Sequence, residues 1–401
     1  MPRFEPFAAL RYDTSAAHAS LDALSAPPYD VLSDSDVDAL AARSPYNIVR
    51  VDVPREADGP DRYRAAAERL GAWVREGILV PDAGESFTVY RMAFTDGSGR
   101  PRVTVGVLGA LEVVDEGAGG VLPHERTTPK AASDRLELTR ATRANLSAVW
   151  GLSLAAGLSA LLEQPGEVVG TVVVDGVTHT VERIDDRSRV AQIATLVGSA
   201  PVLLADGHHR YSISRTYRDE VRAASGRTDS GAELTLAYVG ELVAEQLSVD
   251  AIHRLYSGIS HDDLLAALSA SFETEQAGLV TDAIVAEMDA RGALVLVGPT
   301  GEGTWMRPRA DALSGVRDLD GARLEAALDG VAHEVSYQHG VGHVLDALST
   351  ARATAAVLIR PVGVTEIRRT AAEGLLMPPK STFFTPKLRT GLVVRPIDAT
   401  V

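Results

Sequence analysis

The chain has 401 residues and carries 39 Lys and Arg against 54 Asp and Glu, a formal net charge of −15. Because nucleic-acid phosphates repel so acidic a chain at long range, we expect no nucleic-acid partner. Apolar residues make up 45% of the sequence, which is enough for one large core or two of ordinary size.

The sequence contains no cysteine, which excludes disulfides, thiolate zinc sites, cysteine-ligated iron–sulfur clusters and thiol nucleophiles. Its first residues match neither a signal peptide nor a basic presequence. No apolar run approaches the roughly 20 residues that cross a bilayer. We therefore expect a cytoplasmic protein with no membrane partner.

The first predicted helix covers 61–76, where apolar residues recur every three to four positions. Asp61 is predicted to cap its start and Gly77 to end it. A second helix is predicted over 134–147, because Asp134 followed by Glu137 resembles a capping box.

Two hairpins are predicted in the same part of the chain, each at an Asp-Gly step. Strands 87–94 and 103–114 flank Asp96-Gly97, and strands 167–174 and 178–183 flank Asp175-Gly176.

Residues 200–222 form the clearest structural unit in the sequence. A short apolar strand, 201–205, leads into a tight polar loop, and helical spacing begins at Arg210. A strand, loop and helix in this order direct the N–H groups at the start of the helix toward an anion. The polar segment 225–231 that follows is the predicted domain boundary, dividing the chain into regions 1–225 and 232–401.

The C-terminal region alternates between strand-like and helix-like segments. The strand-like segments are 234–242, 293–297, 355–359 and 391–394, and the helix-like segments are 262–272, 319–328 and 365–374. We therefore predict an α/β fold of the mixed α+β kind.

Asp206-Gly207-His208-His209-Arg210 is the densest cluster of functional side chains. The aspartate can hold a metal or a hydroxyl, the glycine lets the backbone approach a phosphate, and the cationic side chains can neutralise phosphate oxygens. The alternative is a polar helix cap with Arg210 exposed.

A second cluster is His124-Glu125-Arg126, in a loop after a predicted strand. A carboxylate there can act as a general base, and the imidazole can contact phosphate. The segment 126–143 holds five basic residues against two acidic ones, which suits a small anionic ligand, although a solvated helix face is the alternative.

The third cluster is Met377-Pro378-Pro379-Lys380-Ser381-Thr382. It lacks the glycines of a P-loop, but the two prolines would present Lys380 on a rigid backbone. Taken alone, the segments 26–31 and 44–47 are typical of simple turns.

The histidines do not have the spacing of a transition-metal site. His339 and His343 are the only pair spaced four apart, and the glycines at 340 and 342 weaken the helix that would align them. The sequence also lacks the Gly-x-Ser-x-Gly motif of a serine hydrolase.

Six segments together resemble the DUF1015 family, and they span nearly the whole chain in the expected order. They are 26–31 (APPYDV), 44–47 (SPYN), 122–127 (LPHERT), 205–211 (ADGHHRY), 253–255 (HRL) and 377–382 (MPPKST). Through its Asp-Gly-His-x-Arg pattern, that family is similar to the ParB/sulfiredoxin-like superfamily of nucleotide-binding folds, which includes the free serine kinases.

The resemblance implies a ParB/sulfiredoxin-like nucleotide-binding core, completed by the C-terminal α/β region, that transfers phosphate from ATP with Mg²⁺ to free L-serine or a similar small hydroxylated metabolite. By position, Glu125 matches the serine-deprotonating base, although it lies 81 residues before Asp206, farther than in the small serine kinases.

The remaining expected roles rest on the resemblance and on the residues of the three clusters and the basic segment 126–143. Asp206 would be catalytic and would bind Mg²⁺ or the acceptor. The residues expected to contact nucleotide or phosphate are His124, Arg126, Gly207, His208, His209, Arg210, Lys380 and Ser381. The residues expected to contact the acceptor are Tyr29, Asp30, Asn47 and Arg143.

Two other functions stay open at this point. A nucleotide-binding regulator of the ParB type would bind nucleotide with little turnover, and a metal-dependent hydrolase is a third class. The sequence also leaves open the acceptor, the nucleotide, a homodimer, and whether His253 and Arg254 join the site.

Overall fold

The computed structural model describes residues 1–97, 99–125 and 132–398. They form two compact units. Unit 1 comprises Met1–Pro123, Thr127–Leu247 and Pro386–Val401, and unit 2 comprises His124–Arg126 and Ser248–Thr385. The segment 225–231 lies inside unit 1, and the division of the chain into 1–225 and 232–401 stays a prediction.

Unit 1 contains the strands that precede residue 247 in the described part of the chain. They are β1 (Phe4–Glu5), β2 (Leu10–Tyr12), β3 (Leu79–Pro81), β4 (Phe87–Thr95), β5 (Pro101–Glu112), β6 (Val121–Pro123), β7 (Ala144–Asn145), β8 (Val149–Ser153), β9 (Glu167–Val174), β10 (Val177–Ile184), β11 (Val202–Asp206) and β12 (Leu234–Glu241).

The α-helices of unit 1 are α1 (Leu21–Leu24), α2 (Asp34–Arg43), α3 (Val49–Asp52), α4 (Arg62–Arg75), α5 (Ala132–Thr142), α6 (Leu158–Glu163), α7 (Arg187–Val197) and α8 (His208–Ser225). A 3₁₀ turn, Tyr29–Val31, lies between α1 and α2.

In the described residues, nine strands of unit 1 form one mixed sheet. Its strand order is β6-β11-β8-β12-β5-β4-β10-β9, with β1 paired to β5. The pairs β6–β11 and β8–β12 are parallel and the other pairs are antiparallel. This mixed sheet confirms the predicted α/β class, and it places β11 beside β6 near one edge.

Two apolar clusters stabilise unit 1. One packs side chains of the mixed sheet, such as Val107 and Val239, against α6 and α7, whose Leu158 and Ile193 are fully buried. The other joins the short N-terminal helices to α4 through Ile48, Leu70 and other apolar residues. Burial of this kind contributes about 25 cal/mol per Å² of apolar surface.

Both predicted hairpins are confirmed. At the tip of β9–β10, Asp175 and Gly176 have φ angles of 50° and 74°, the left-handed geometry that two-residue hairpin turns require. Strands β4 and β5 pair in register from Thr88↔Leu108 to Thr95↔Pro101.

Three predicted element ends differ from the structure. Helix α5 ends at Thr142 rather than at 147, because Arg143 adopts a left-handed φ of 49° and the chain then enters β7. Asp134 lies inside α5, where it accepts a hydrogen bond from the Tyr63 hydroxyl at 2.6 Å, so it is not the predicted cap. The Asp61 side chain makes no capping bond and pairs with Arg64 instead.

Unit 2 is built from further strands and helices. The strands are β13 (Ser248–Asp250), β14 (Ile252–Ser257), β15 (Phe272–Leu279), β16 (Leu294–Val297), β17 (Glu302–Pro308), β18 (Glu334–His339), β19 (Ala355–Leu358) and β20 (Phe383–Thr385). The helices are α9 (His261–Ser269), α10 (Ile284–Arg291), α11 (Asp320–Ala327), α12 (Val341–Ser349) and α13 (Val364–Ala372).

Six of these strands form an antiparallel sheet in the order β15-β17-β16-β19-β14-β18, as far as the described chain extends. Alternate residues of β16 enter different cores, since Val295 and Val297 pack with α10 and α12 while Leu294 and Leu296 pack with α9 and α11. Because helices cover both faces of the sheet here, every residue of β16 is apolar and buried.

The chain then returns to unit 1. The last strand in the described residues, β21 (Arg395–Pro396), pairs with β7. The strand predicted at 391–394 therefore lies just before the observed one. None of the helices in the described residues is both long and apolar enough to cross a bilayer.

Candidate functional site

The first cluster lies where β11 ends and α8 begins. Gly207 separates the two elements and has a left-handed φ of 84°. It is the N-cap residue of the 18-residue helix α8, and because glycine has no side chain, it caps none of the first N–H groups of that helix. The predicted order of strand, loop and helix is confirmed, but α8 begins two residues earlier than expected. His208, His209 and Arg210 therefore lie in its first turn, at the positive end of the helix dipole.

Two cations contact the carboxylate of Asp206. Arg210 Nη2 lies 2.9 Å from Asp206 Oδ2, and Lys387 Nζ lies 3.6 Å from the same oxygen. The Arg210 side chain is only 10% exposed and also donates to the carbonyl of Ala148. The alternative in which Arg210 is an exposed cap residue is therefore wrong.

The charge of Arg210 is stabilised by its surroundings. Burial alone would lower the pKa of this guanidinium, but the carboxylates of Asp206, Asp30 and Asp52 outweigh burial and raise that pKa. Arg210 thus remains a buried cation and needs no protonation step before it binds an anion.

Arg210 also lines a small cavity of about 50 Å³ in unit 1, together with Tyr29, Asp52 and Arg135. The Arg135 guanidinium lies 4.1 Å above the centre of the Tyr29 ring, and its Nη1 donates to Asp52 Oδ1 at 3.1 Å. Burial raises the pKa of the Asp52 carboxyl, and Arg135 and Arg210 oppose that shift.

Asp52, Arg135 and Lys387 were not among the predicted site residues. Lys387 carried one usable signal, because it is one of only three lysines among 39 basic residues and each lysine follows a proline. Asp52 carried none, since its partner Arg135 lies 83 positions away.

Unit 2 brings the second and third clusters together. Glu125 forms an isolated parallel bridge with Met377, whose N–H donates to the His124 carbonyl at 2.9 Å. The Glu125 carboxylate accepts the backbone N–H of Ser381 at 3.1 Å, and His124 Nε2 lies 2.7 Å from Thr382 Oγ1. These contacts join segments about 250 residues apart in the sequence.

The backbone of the third cluster is held by Arg254. Its guanidinium donates to the carbonyls of Lys380 at 2.9 Å and Pro379 at 3.3 Å, and Ser381 Oγ donates to the Pro378 carbonyl at 2.7 Å. Lys380 itself has a left-handed φ of 56°. Arg254 is therefore a structural partner of this loop.

The other predicted residues lie apart from these contacts. Asn47 is fully buried and bonds only to backbone, donating to the carbonyls of Ala23 and Ser25 and accepting from the N–H of Val49. Arg143 is 59% exposed and lies 3.6 Å from Asp398. Acceptor roles for Asn47, Arg143 and the exposed Asp30 stay predictions, and Arg126 lies outside the described residues.

No group of three or more His, Asp or Glu side chains is arranged to hold a metal ion within the described ranges. A metal bound by Asp206 would therefore need ligands from another molecule, such as phosphate oxygens.

The sequence matches the model of the family described as "Protein of unknown function (DUF1015)" over residues 4–329. The chain belongs to the DUF1015 family. No functionally curated protein matches it significantly.

Solved structures give more distant similarities. A free serine kinase in complex with AMP is 12% identical, with a TM-score of 0.36, covering 66% of this chain and 84% of its own. A conserved hypothetical protein from Pyrococcus furiosus is 11% identical, with a TM-score of 0.36 and coverages of 66% and 87%. SbnI from Staphylococcus aureus, truncated at its C-terminus, is 13% identical, with a TM-score of 0.39 and coverages of 72% and 87%. Similarity at this level transfers no activity to the DUF1015 chain.

Proposed function

We propose that this protein is an ATP-dependent kinase with a ParB/sulfiredoxin-like nucleotide-binding core. It would phosphorylate the hydroxyl of free L-serine, or of a similar small hydroxylated metabolite. The substrate is suggested by the resemblance of the six sequence segments to the DUF1015 family and, through Asp-Gly-His-x-Arg, to the free serine kinases. The chemistry is suggested by the residues themselves.

The junction of β11 and α8 carries the proposal. Gly207 lets the backbone approach a ligand closely, the positive end of α8 favours an anion, and Arg210 and Lys387 supply two cations beside it. His208 and His209 add donors in the same helical turn. This combination suits the polyphosphate of a nucleotide, because phosphoryl transfer depends mainly on positioning and on neutralising charge.

In the proposed reaction, Glu125 accepts the proton of the acceptor hydroxyl. The hydroxyl oxygen then forms a bond to the γ-phosphorus, the bond from that phosphorus to the bridging oxygen breaks, and ADP leaves. His124, Lys380 and Ser381 are proposed to contact phosphate or acceptor in unit 2. A nearby carboxylate base accelerates such a step by about 10²- to 10⁴-fold.

Magnesium would neutralise the phosphates when bound. Asp206 could supply one carboxylate ligand to the magnesium ion. Its Oδ2 already pairs with Arg210 and Lys387. Such a site would bind Mg²⁺ weakly in the absence of nucleotide.

The test is to incubate the purified chain with ATP, Mg²⁺ and each hydroxylated amino acid while following ADP release and phosphoserine formation. Glu125→Gln is expected to lower kcat at least 100-fold while leaving nucleotide affinity unchanged. Glu334→Gln, the same change on an exposed strand of unit 2, is the matched control and should behave as the wild type.

Two outcomes would contradict the kinase proposal. Absence of turnover with every hydroxylated metabolite would refute it. Tight nucleotide binding with a Glu125→Gln variant indistinguishable from the wild type would instead favour the nucleotide-binding regulator.

A further inference from the structure

Unit 2 contains a cavity of about 220 Å³ that the proposed kinase reaction does not use. It lies between strands β14 and β18 on one side and helix α11 with the loop that follows on the other. At about 30 Å³ per liquid water, it has room for roughly seven waters or one small organic molecule of similar bulk.

Arg254 lies at one wall of this cavity and is only 5% exposed. Each of its hydrogen bonds in the described part of the chain is to a backbone carbonyl, from Ile252, Pro379 or Lys380, and none is to a carboxylate. Gly321 makes room for the guanidinium, because a Cβ there would lie 3.0 Å from Arg254 Nη2.

A buried cation that is hydrogen-bonded to no carboxylate in the described residues is energetically costly. Burial lowers the pKa of Arg254, and smaller effects from Tyr337, Tyr256, Glu325 and Glu125 oppose that shift. Three carbonyls account for three of its five N–H groups. Within the described ranges, the Nε–H and one hydrogen of Nη2 have no protein acceptor. Two adjacent donors on one planar group match the two oxygens of a carboxylate.

The rest of the lining selects among anions. Leu324, Leu328 and the rings of Tyr256 and Tyr337 form an apolar wall, and the Arg254 guanidinium lies 4.9 Å from the centre of the Tyr337 ring. The exposed Glu325 and Asp329 lie at the same cavity and would repel a phosphate dianion more than a singly charged carboxylate.

We propose that this cavity is a second ligand site, in which Arg254 binds the carboxylate of a small monocarboxylic acid with an apolar or aromatic body. This proposal does not rest on the kinase proposal, because the cavity would bind its ligand without nucleotide, although Arg254 also holds the backbone of Lys380.

The test uses the full chain without nucleotide and measures binding by calorimetry and ligand-observed NMR. The probes are phenylacetate, its neutral analogue phenylacetamide, and phenyl phosphate. Phenylacetate is expected to bind at least tenfold more tightly than either of the others. Equal binding of the amide would overturn the role of charge, and tighter binding of phenyl phosphate would overturn the carboxylate class.

Variants locate the site. Arg254→Lys keeps the charge but removes the paired donors, and should weaken phenylacetate binding at least tenfold. Since Arg254 also supports the loop of Lys380, a second pair uses Val335, which lines the cavity yet is 41% exposed. Val335→Glu should weaken phenylacetate binding at least tenfold relative to Val335→Gln. Equal affinities in these two variants, or no phenylacetate binding to the wild type, would refute the proposal.

Discussion

Gly207 is the residue at which backbone geometry and proposed chemistry depend most directly on each other. Its φ of 84° is strained for any side chain, and an added Cβ would lie 3.0 Å from Arg210 Nε. Gly207→Ala should therefore destabilise the fold by about 1–2 kcal/mol and displace Arg210. We expect nucleotide affinity, measured by calorimetry, to fall at least tenfold.

Gly226 provides the control at the other end of the same helix. Its φ is 69°, and a Cβ there would meet no atom within 4 Å. Gly226→Ala should carry a similar loss of stability with unchanged nucleotide affinity. If both variants lost affinity equally, the effect would come from general destabilisation and not from Arg210.

At the level of elements, Arg143 has two roles that can be tested separately: it ends helix α5, and it is proposed to contact the acceptor. This residue follows the helix with a left-handed φ of 49°, a position that favours glycine. Arg143→Gly should raise the free energy of unfolding by about 0.5 kcal/mol, measured by urea denaturation, because relief of strain exceeds the entropy lost on folding.

The same variant tests the predicted contact of Arg143 with the acceptor. Arg143→Lys keeps the positive charge and serves as the control for charge alone. An increase in the KM for serine in Arg143→Gly but not in Arg143→Lys would support acceptor binding. Unchanged kinetics in both would leave Arg143 only its role in ending the helix.

Local sequence signals predicted the elements better than the site. The Asp-Gly steps at 96–97 and 175–176 predict both hairpins. At 175–176 the step forms a two-residue turn, which requires residues that tolerate a positive φ, whereas the first hairpin has a longer loop over 96–100 with its positive φ at Gly99. The left-handed conformation of Arg143 had no such signal. The contacts of Glu125 with Ser381 and of Asp52 with Arg135 span 256 and 83 positions, so they depend on tertiary folding that no local pattern encodes.

At the scale of the whole molecule, each unit contains a buried histidine whose pKa is lowered. Burial lowers the pKa of His179 to about 4, with a smaller effect from Arg389, and burial lowers that of His253 to about 4, with smaller effects from Arg254 and His339. Each ring nitrogen Nδ1 is engaged, in His179 with the Tyr90 hydroxyl at 2.8 Å and in His253 with the N–H of Ile359 at 3.2 Å.

These depressed values make stability fall in mild acid. Between pH 6.5 and about 4, the unfolded chain binds a proton at each histidine that the folded chain does not, so stability is fully present above pH 6.5 and is lost as the pH falls toward 4. Each histidine would account for about 3 kcal/mol over that range. The raised pKa of Asp52 acts in the opposite direction and offsets part of the loss.

The measurement is the urea unfolding midpoint from pH 7 to pH 4.5. His179→Asn and His253→Asn each keep an acceptor near the Nδ1 position but cannot titrate, so each should flatten the pH dependence, and the double variant should flatten it most. His261→Asn, which changes a partly exposed histidine at the start of α9, is the control and should keep the wild-type slope. An identical slope in the wild type and the double variant would mean that other groups cause the acid sensitivity and that neither buried imidazole titrates on unfolding.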